Sequence, residues 1–128
     1  PLATEIDPDL AHPELIPFLE LSNGQFKEKF GHVAGSWRGK NILQRNAIIA
    51  LANANDRSAI PKLLNIIETS QNQIHIATAI WSLGQLLREV TPDLVELLLN
   101  IKHPTNAIIE ERTAFFEKFG IQAVSQLQ

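Results

Sequence analysis

From about residue 40 onward, apolar residues fall at helical spacing, and nowhere do they alternate strictly with polar ones as a strand requires. Ile60, Leu63, Leu64 and Ile67 stand at i, i+3, i+4 and i+7, the stripe of a helix buried along one side. Leu94, Leu97, Leu98 and Ile101 repeat that stripe at an offset of 34, behind a Thr91 cap with Pro92 in the first turn. Another apolar helix precedes each stripe. The first runs from Lys40 to about Asn53 and is closed by the polar turn Asn53–Asp56, after which the next helix begins near Ser58. Ala47–Asn53 (AIIALAN) aligns with Ala79–Gln85 (AIWSLGQ) at an offset of 32, which puts Trp81 in the place of Ile49 and predicts a core position for it. Thr113–Gly120 (TAFFEKFG) echoes the helix expected to end at Gly84, with Glu110 and Glu111 expected to begin or cap it, and the partner helix is expected to reach Gln128.

Two-helix units repeated at these offsets cannot bury their apolar faces alone, and stacking them side by side builds an α-solenoid. The expected fold is therefore all-α, a HEAT-like solenoid of two to three helix pairs; a helix bundle without repeat symmetry is the alternative. Ahead of the repeats, residues 1–21 read as an extended acidic leading segment, interrupted by Pro1, Pro8 and Pro13. Ser22 with Gln25 forms a capping box opening a short helix to about Phe30, which Gly31 closes. The expected organisation is thus a leading segment, 1–21, and a repeat domain, 22–128.

Composition adds limits. A chain of 128 residues, 45% hydrophobic and 20% charged, is one ordinary globular domain. Its longest purely apolar run, Ala47–Ala52, is far too short to cross a bilayer. The absence of cysteine excludes disulfides, thiolate metal sites and cysteine nucleophiles from these residues. The chain starts at Pro1 and lacks the basic-then-apolar order of a signal peptide, and it reads as a piece of something longer. A net charge of −3 hides a polarised distribution: residues 1–26 hold five acids and no Lys or Arg, whereas residues 27–62 hold seven bases against two acids. Such a local cationic field attracts polyanions even on an acidic chain, although a merely solvated helix face has the same composition.

The stretch FKEKFGHVAGSWRGKNILQRNAIIALAN, residues 26–53, resembles the region that follows the iron–sulfur segment of bacterial epoxyqueuosine reductases. The likeness is carried by Phe30, Gly35, Ser36, Arg38, Lys40, Leu43, Arg45, Asn46 and Ala47 and extends over roughly residues 20–90. It implies a carboxy-terminal HEAT-like domain of a cytoplasmic oxidoreductase that reduces epoxyqueuosine in tRNA with cobalamin and two four-iron clusters. The same resemblance implies no cofactor within this segment, since the clusters need cysteines, and it names tRNA and the catalytic amino-terminal part of the parent chain as partners.

The residues give that role separate support. Arg38, Asn41 and Arg45 at i, i+3 and i+7, beside Lys40 and Gln44 at i and i+4, would display two adjoining polar rows on a helix starting near Ser36. Arg38, Lys40 and Arg45 can neutralise phosphates, Asn41 can bond to them, and Lys27 and Lys29 can extend the surface across the Gly31 turn. Arg45 has a structural alternative, an ion pair with an acid of the leading segment. Trp37 either wedges against Phe26 or Phe30 or stacks on a base.

Enzyme motifs are wanting. Gly39-Lys40 lacks the first glycine, the Ser/Thr and the preceding strand of a phosphate-binding loop. The four histidines, His12, His32, His75 and His103, have no ligand spacing. The sequence points to a tRNA-binding accessory module with no membrane association. A protein-interaction scaffold is the alternative function, and a purely structural brace for the catalytic part a third.

Overall fold

The structure, a computed structural model, describes residues 12–20, 25 and 39–122. Within them lie α1 (His12–Phe18), α2 (Lys40–Asn53), a 3₁₀ turn (Arg57–Ala59), α3 (Ile60–Thr69), α4 (Gln73–Leu86), α5 (Pro92–Leu99) and α6 (Asn106–Lys118). The expected all-α repeat is what forms. α2, α4 and α6 lie side by side as one layer, α4 in the middle, while α3 packs under α4 and touches α5. Each unit is thus helix, turn, helix, with α6 opening a third; residues 123–128, where its partner was expected, lie outside the described residues.

Being flanked on several sides, α4 is buried nearly all round. Its apolar residues Ile76, Ile80, Leu83 and Leu86 are out of water, and small residues, Ala77, Ala79, Ser82 and Gly84, keep the neighbouring helices close. The two sequence stripes face this core: Leu63, Ile67, Leu94 and Leu98 are buried, and Ile60, Leu64, Leu97 and Ile101 are partly buried against it. Ile66, outside the stripe, is also buried.

The register between units shows in three hydrogen bonds of identical sequence separation. His75 Nε2 donates to the Asn41 carbonyl at 2.9 Å, Ser82 Oγ to the Ile48 carbonyl at 3.2 Å, and Lys118 Nζ to the Gly84 carbonyl, each spanning 34 residues. The outer layer helices also end alike. Asn55 after α2 and Gly120 after α6 adopt the left-handed conformation, and the next amides, of Asp56 and Ile121, reach back five residues to the Leu51 and Phe116 carbonyls. That pattern satisfies carbonyls a helix end leaves open.

Local signals account for most boundaries. Thr91 and Thr105 accept from the amides of Leu94 and Ile108, and Asn72 accepts from that of His75. The helix expected near Ser58 starts as the 3₁₀ turn, with Asp56 accepting from the Ser58 amide, before α3 proper at Ile60.

Three expectations are corrected. Residues 12–18, within the segment read as extended, are helical. Pro13 falls in the first turn, where a proline costs little, and Leu15 is buried at 3% exposure against α2. The helix is completed from outside: the Gln44 amide, itself only 5% exposed, donates to the Phe18 and Leu19 carbonyls at 3.3 and 3.4 Å. Trp81 does not sit in the core but is half-buried, because it and its counterpart Ile49 both lie on the open side of the layer. Glu110 and Glu111 neither start nor cap α6; Thr105 does, and they fall in its middle.

Candidate nucleic-acid interface

α2 carries the expected binding residues that fall within the described part of the chain. It begins at Lys40 behind Gly39, which offers no side-chain cap, and its first turn holds no acid. A helix start of this composition favours anions through its amides and the positive pole of the helix dipole.

Lys40 and Asn41 open onto a polar basin of about 440 Å³ between α2, α3 and the start of α4. Lys62, Asn65, Asn72 and His75 share its wall. Lys62 pairs with Glu20 at 3.5 Å, but the Glu20 side chain is largely exposed, so the bond adds little stability. His75 is buried and donates its Nε2 proton to the Asn41 carbonyl; burial holds its pKa below the usual histidine value, the carbonyl bond opposes this, and nearby Lys40 lowers it further. The imidazole is therefore neutral near pH 7.

Arg45 lies exposed one turn further along, and it faces a different hollow, lined also by Ile49, Thr78, Trp81 and Glu111. Five residues of helix separate it from Lys40, about 140° around the axis, so the two cations flank α2. The alternative of an acidic partner for Arg45 is not met among the described residues. Gln44 leaves the polar row altogether, since its amide is spent on α1. Arg38, Lys27, Lys29, Trp37 and Ser22 lie outside the described residues. Sequence reasoning passed over Lys62 and His75 as members of the basin, although both the local basic excess and the repeat offset from Asn41 to His75 pointed there.

No group of three or more His, Cys, Asp or Glu side chains among the described residues could hold a metal ion, and no helix there is long and apolar enough to cross a membrane. With no cysteine in the sequence, the residues present do not fit an iron–sulfur cluster.

Parallel stacking of short helix pairs around one core defines an α-solenoid of HEAT type, and residues 43–69 match the PBS lyase HEAT-like repeat family. The chain is 55% identical over 82 residues to epoxyqueuosine reductase of Lactococcus garvieae, covering 64% of this chain and 23% of that protein. It is 41% identical over 110 residues to the epoxyqueuosine reductase of Listeria monocytogenes, covering 86% and 29%. Among solved structures, epoxyqueuosine reductase from Streptococcus thermophilus superposes with a TM-score of 0.77 at 52% identity, over 91% of this chain and 31% of that one. An epoxyqueuosine reductase crystallised with a tRNA-Tyr epoxyqueuosine-modified stem loop gives 0.70 at 39% identity, over 83% and 28%. The chain is thus similar to a HEAT-like segment of epoxyqueuosine reductases, and it spans about a quarter of the length of the curated relatives it matches.

Proposed function

We propose that this segment is the tRNA-holding module of an epoxyqueuosine reductase, with the reductive chemistry and its cobalamin and iron–sulfur cofactors carried by other parts of the parent enzyme. The observation that carries the proposal is the likeness, at 39% identity, to an epoxyqueuosine reductase crystallised with a tRNA stem loop. α2 supplies the grip. Lys40 beside the helix start and Arg45 on the other flank of α2 neutralise backbone phosphates, Asn41 adds a neutral contact, and Arg38, Lys27 and Lys29, earlier in the sequence, are further candidate contacts. Flanking placement of Lys40 and Arg45 suits two separate phosphates of a curved loop better than a single one. Lys62, in the same basin as Lys40, is a further candidate contact.

Changing Arg38, Lys40 and Arg45 to Glu tests the grip, with binding of a tRNA anticodon stem loop followed across a salt series. Binding weakens sharply and its log–log salt slope falls by roughly 0.7 to 0.9 for each phosphate left without its cation. Far-ultraviolet circular dichroism stays unchanged, because charges that reach solvent contribute little to folding. Lys102 and Arg88, both exposed, serve as the reversal control. Lys118 is unsuited, since its ammonium group holds the Gly84 carbonyl. Equal weakening by both sets would reduce the interaction to non-specific attraction.

A further inference from the structure

Arg45, Thr78 and Glu111 follow one another at an equal sequence interval on α2, α4 and α6, so the stacking that builds the fold sets them in one row across the open side of the helix layer. Ile49, Trp81 and Ala114 form the next row at nearly the same interval. Between the rows lies the hollow of about 240 Å³ walled by Arg45, Ile49, Thr78, Trp81 and Glu111. It is smaller than the pockets that take drug-sized ligands, and it leaves room for a single flat ring system.

The polar groups of this hollow are unspent. Among the described residues Arg45 and Glu111 form no ion pair with each other or with any third residue, and the Trp81 indole N–H donates to no protein acceptor. Thr78 is the exception, its hydroxyl donating to the Ile74 carbonyl at 2.7 Å. Partial burial, and then the neighbouring Glu110, push the Glu111 carboxyl above its usual range, which marks a carboxylate with no cation close enough to settle it. A ligand that satisfies all three groups has a flat face for the indole, a negative charge for the guanidinium and adjacent N–H donors for the carboxylate. Among the common nucleotides guanine meets the last requirement, through N1–H and the N2 amino group, which match two carboxylate oxygens. Aromatic stacking on unpaired bases is the usual way single-stranded RNA is held.

We propose that this hollow binds one unpaired guanine nucleotide of RNA, its ring on Trp81, its Watson–Crick edge donating to Glu111 and its phosphate on Arg45. The site rests on the RNA-binding role given above and adds to it a base-reading element on α4 and α6, beside the Arg45 that the phosphate grip on α2 also uses.

The test uses the chain carrying Trp37→Phe, which leaves Trp81 as its single tryptophan. Titration with the pentaribonucleotide UUGUU quenches the indole emission, and UUGUU binds about tenfold more tightly than UUAUU. Followed instead by the fluorescence anisotropy of end-labelled UUGUU, Trp81→Ala weakens binding roughly ten- to a hundredfold, the range that removal of one stacking platform gives, and Trp81→Phe, which keeps a ring face, recovers part of it. Glu111→Gln removes the preference for UUGUU over UUAUU while the quenching remains. Unquenched Trp81 with UUGUU bound, equal binding of the two pentamers, or a guanine preference that survives Glu111→Gln each overturns the site. If in that event the stem loop still binds with steep, α2-dependent salt sensitivity, the phosphate grip stands and the base site alone falls; if the stem loop does not bind the unaltered chain, the grip itself fails.

Discussion

The Ser82 hydroxyl donates to the Ile48 carbonyl across 3.2 Å, with both residues wholly out of water. It is a polar contact at the centre of an apolar seam, joining the first helices of consecutive units. A buried hydroxyl without a partner costs free energy, so the serine both requires and enforces this alignment of α2 on α4. Ser82→Ala removes donor and demand together and lowers stability by about 1 kcal/mol in urea denaturation. Ser82→Leu forces extra volume between two close helices and costs more, about 1 to 3 kcal/mol.

The two repeat stripes differ in depth, and their truncation should show it. Leu63 and Leu98 are fully buried, and replacing either by Ala leaves a cavity costing about 2 to 5 kcal/mol. Leu64, partly exposed on the same helix as Leu63, loses less on the same change. Chemical denaturation of the three variants orders them, and an equal loss at Leu64 would mean that it too belongs to the core.

Gln44 closes the end of a helix to which it does not belong. Gln44→Ala leaves the Phe18 and Leu19 carbonyls to water, so α1 frays at a cost of about 1 kcal/mol. Amide hydrogen exchange reports this as faster exchange over residues 15–20 with protection in α4 and α6 retained. Uniform acceleration would instead mark Gln44 as part of the global core.

His75 makes stability depend on pH. Its folded pKa lies below the unfolded value of about 6.5, so between the two values the unfolded chain binds the extra proton. The histidine's favourable neutral burial is complete above about pH 6.5 and is lost as pH falls towards the folded pKa. Melting temperature therefore drops on acidification from pH 7.5 to 5.5, and His75→Gln shows a shallower drop. An identical pH profile in the variant would rule out His75 as the source.

Much of this molecule is legible in its sequence because the information is local or periodic. The bounds of α2, the cap at Thr91, the polar turn Asn53–Asp56, the two buried stripes and the repeat of helix pairs all follow from side-chain spacing and from turn chemistry within a few residues. The family likeness followed from the wording of residues 26–53, and the similarity to known epoxyqueuosine reductases upholds it. Tertiary structure decided what depends on a neighbour. Two-turn α1 exists because Leu15 finds a buried site and Gln44, far along the chain, supplies its cap; its prolines alone argued for extension. Trp81 was aligned correctly with Ile49, yet alignment fixes only equivalence between repeats, and which side of the layer is covered depends on where α3 and α5 pack. Lys40 and Arg45, adjoining in a flat reading of cationic positions, are parted by helical geometry, while Arg45, Thr78 and Glu111, remote in sequence, become neighbours because three helices stack in register.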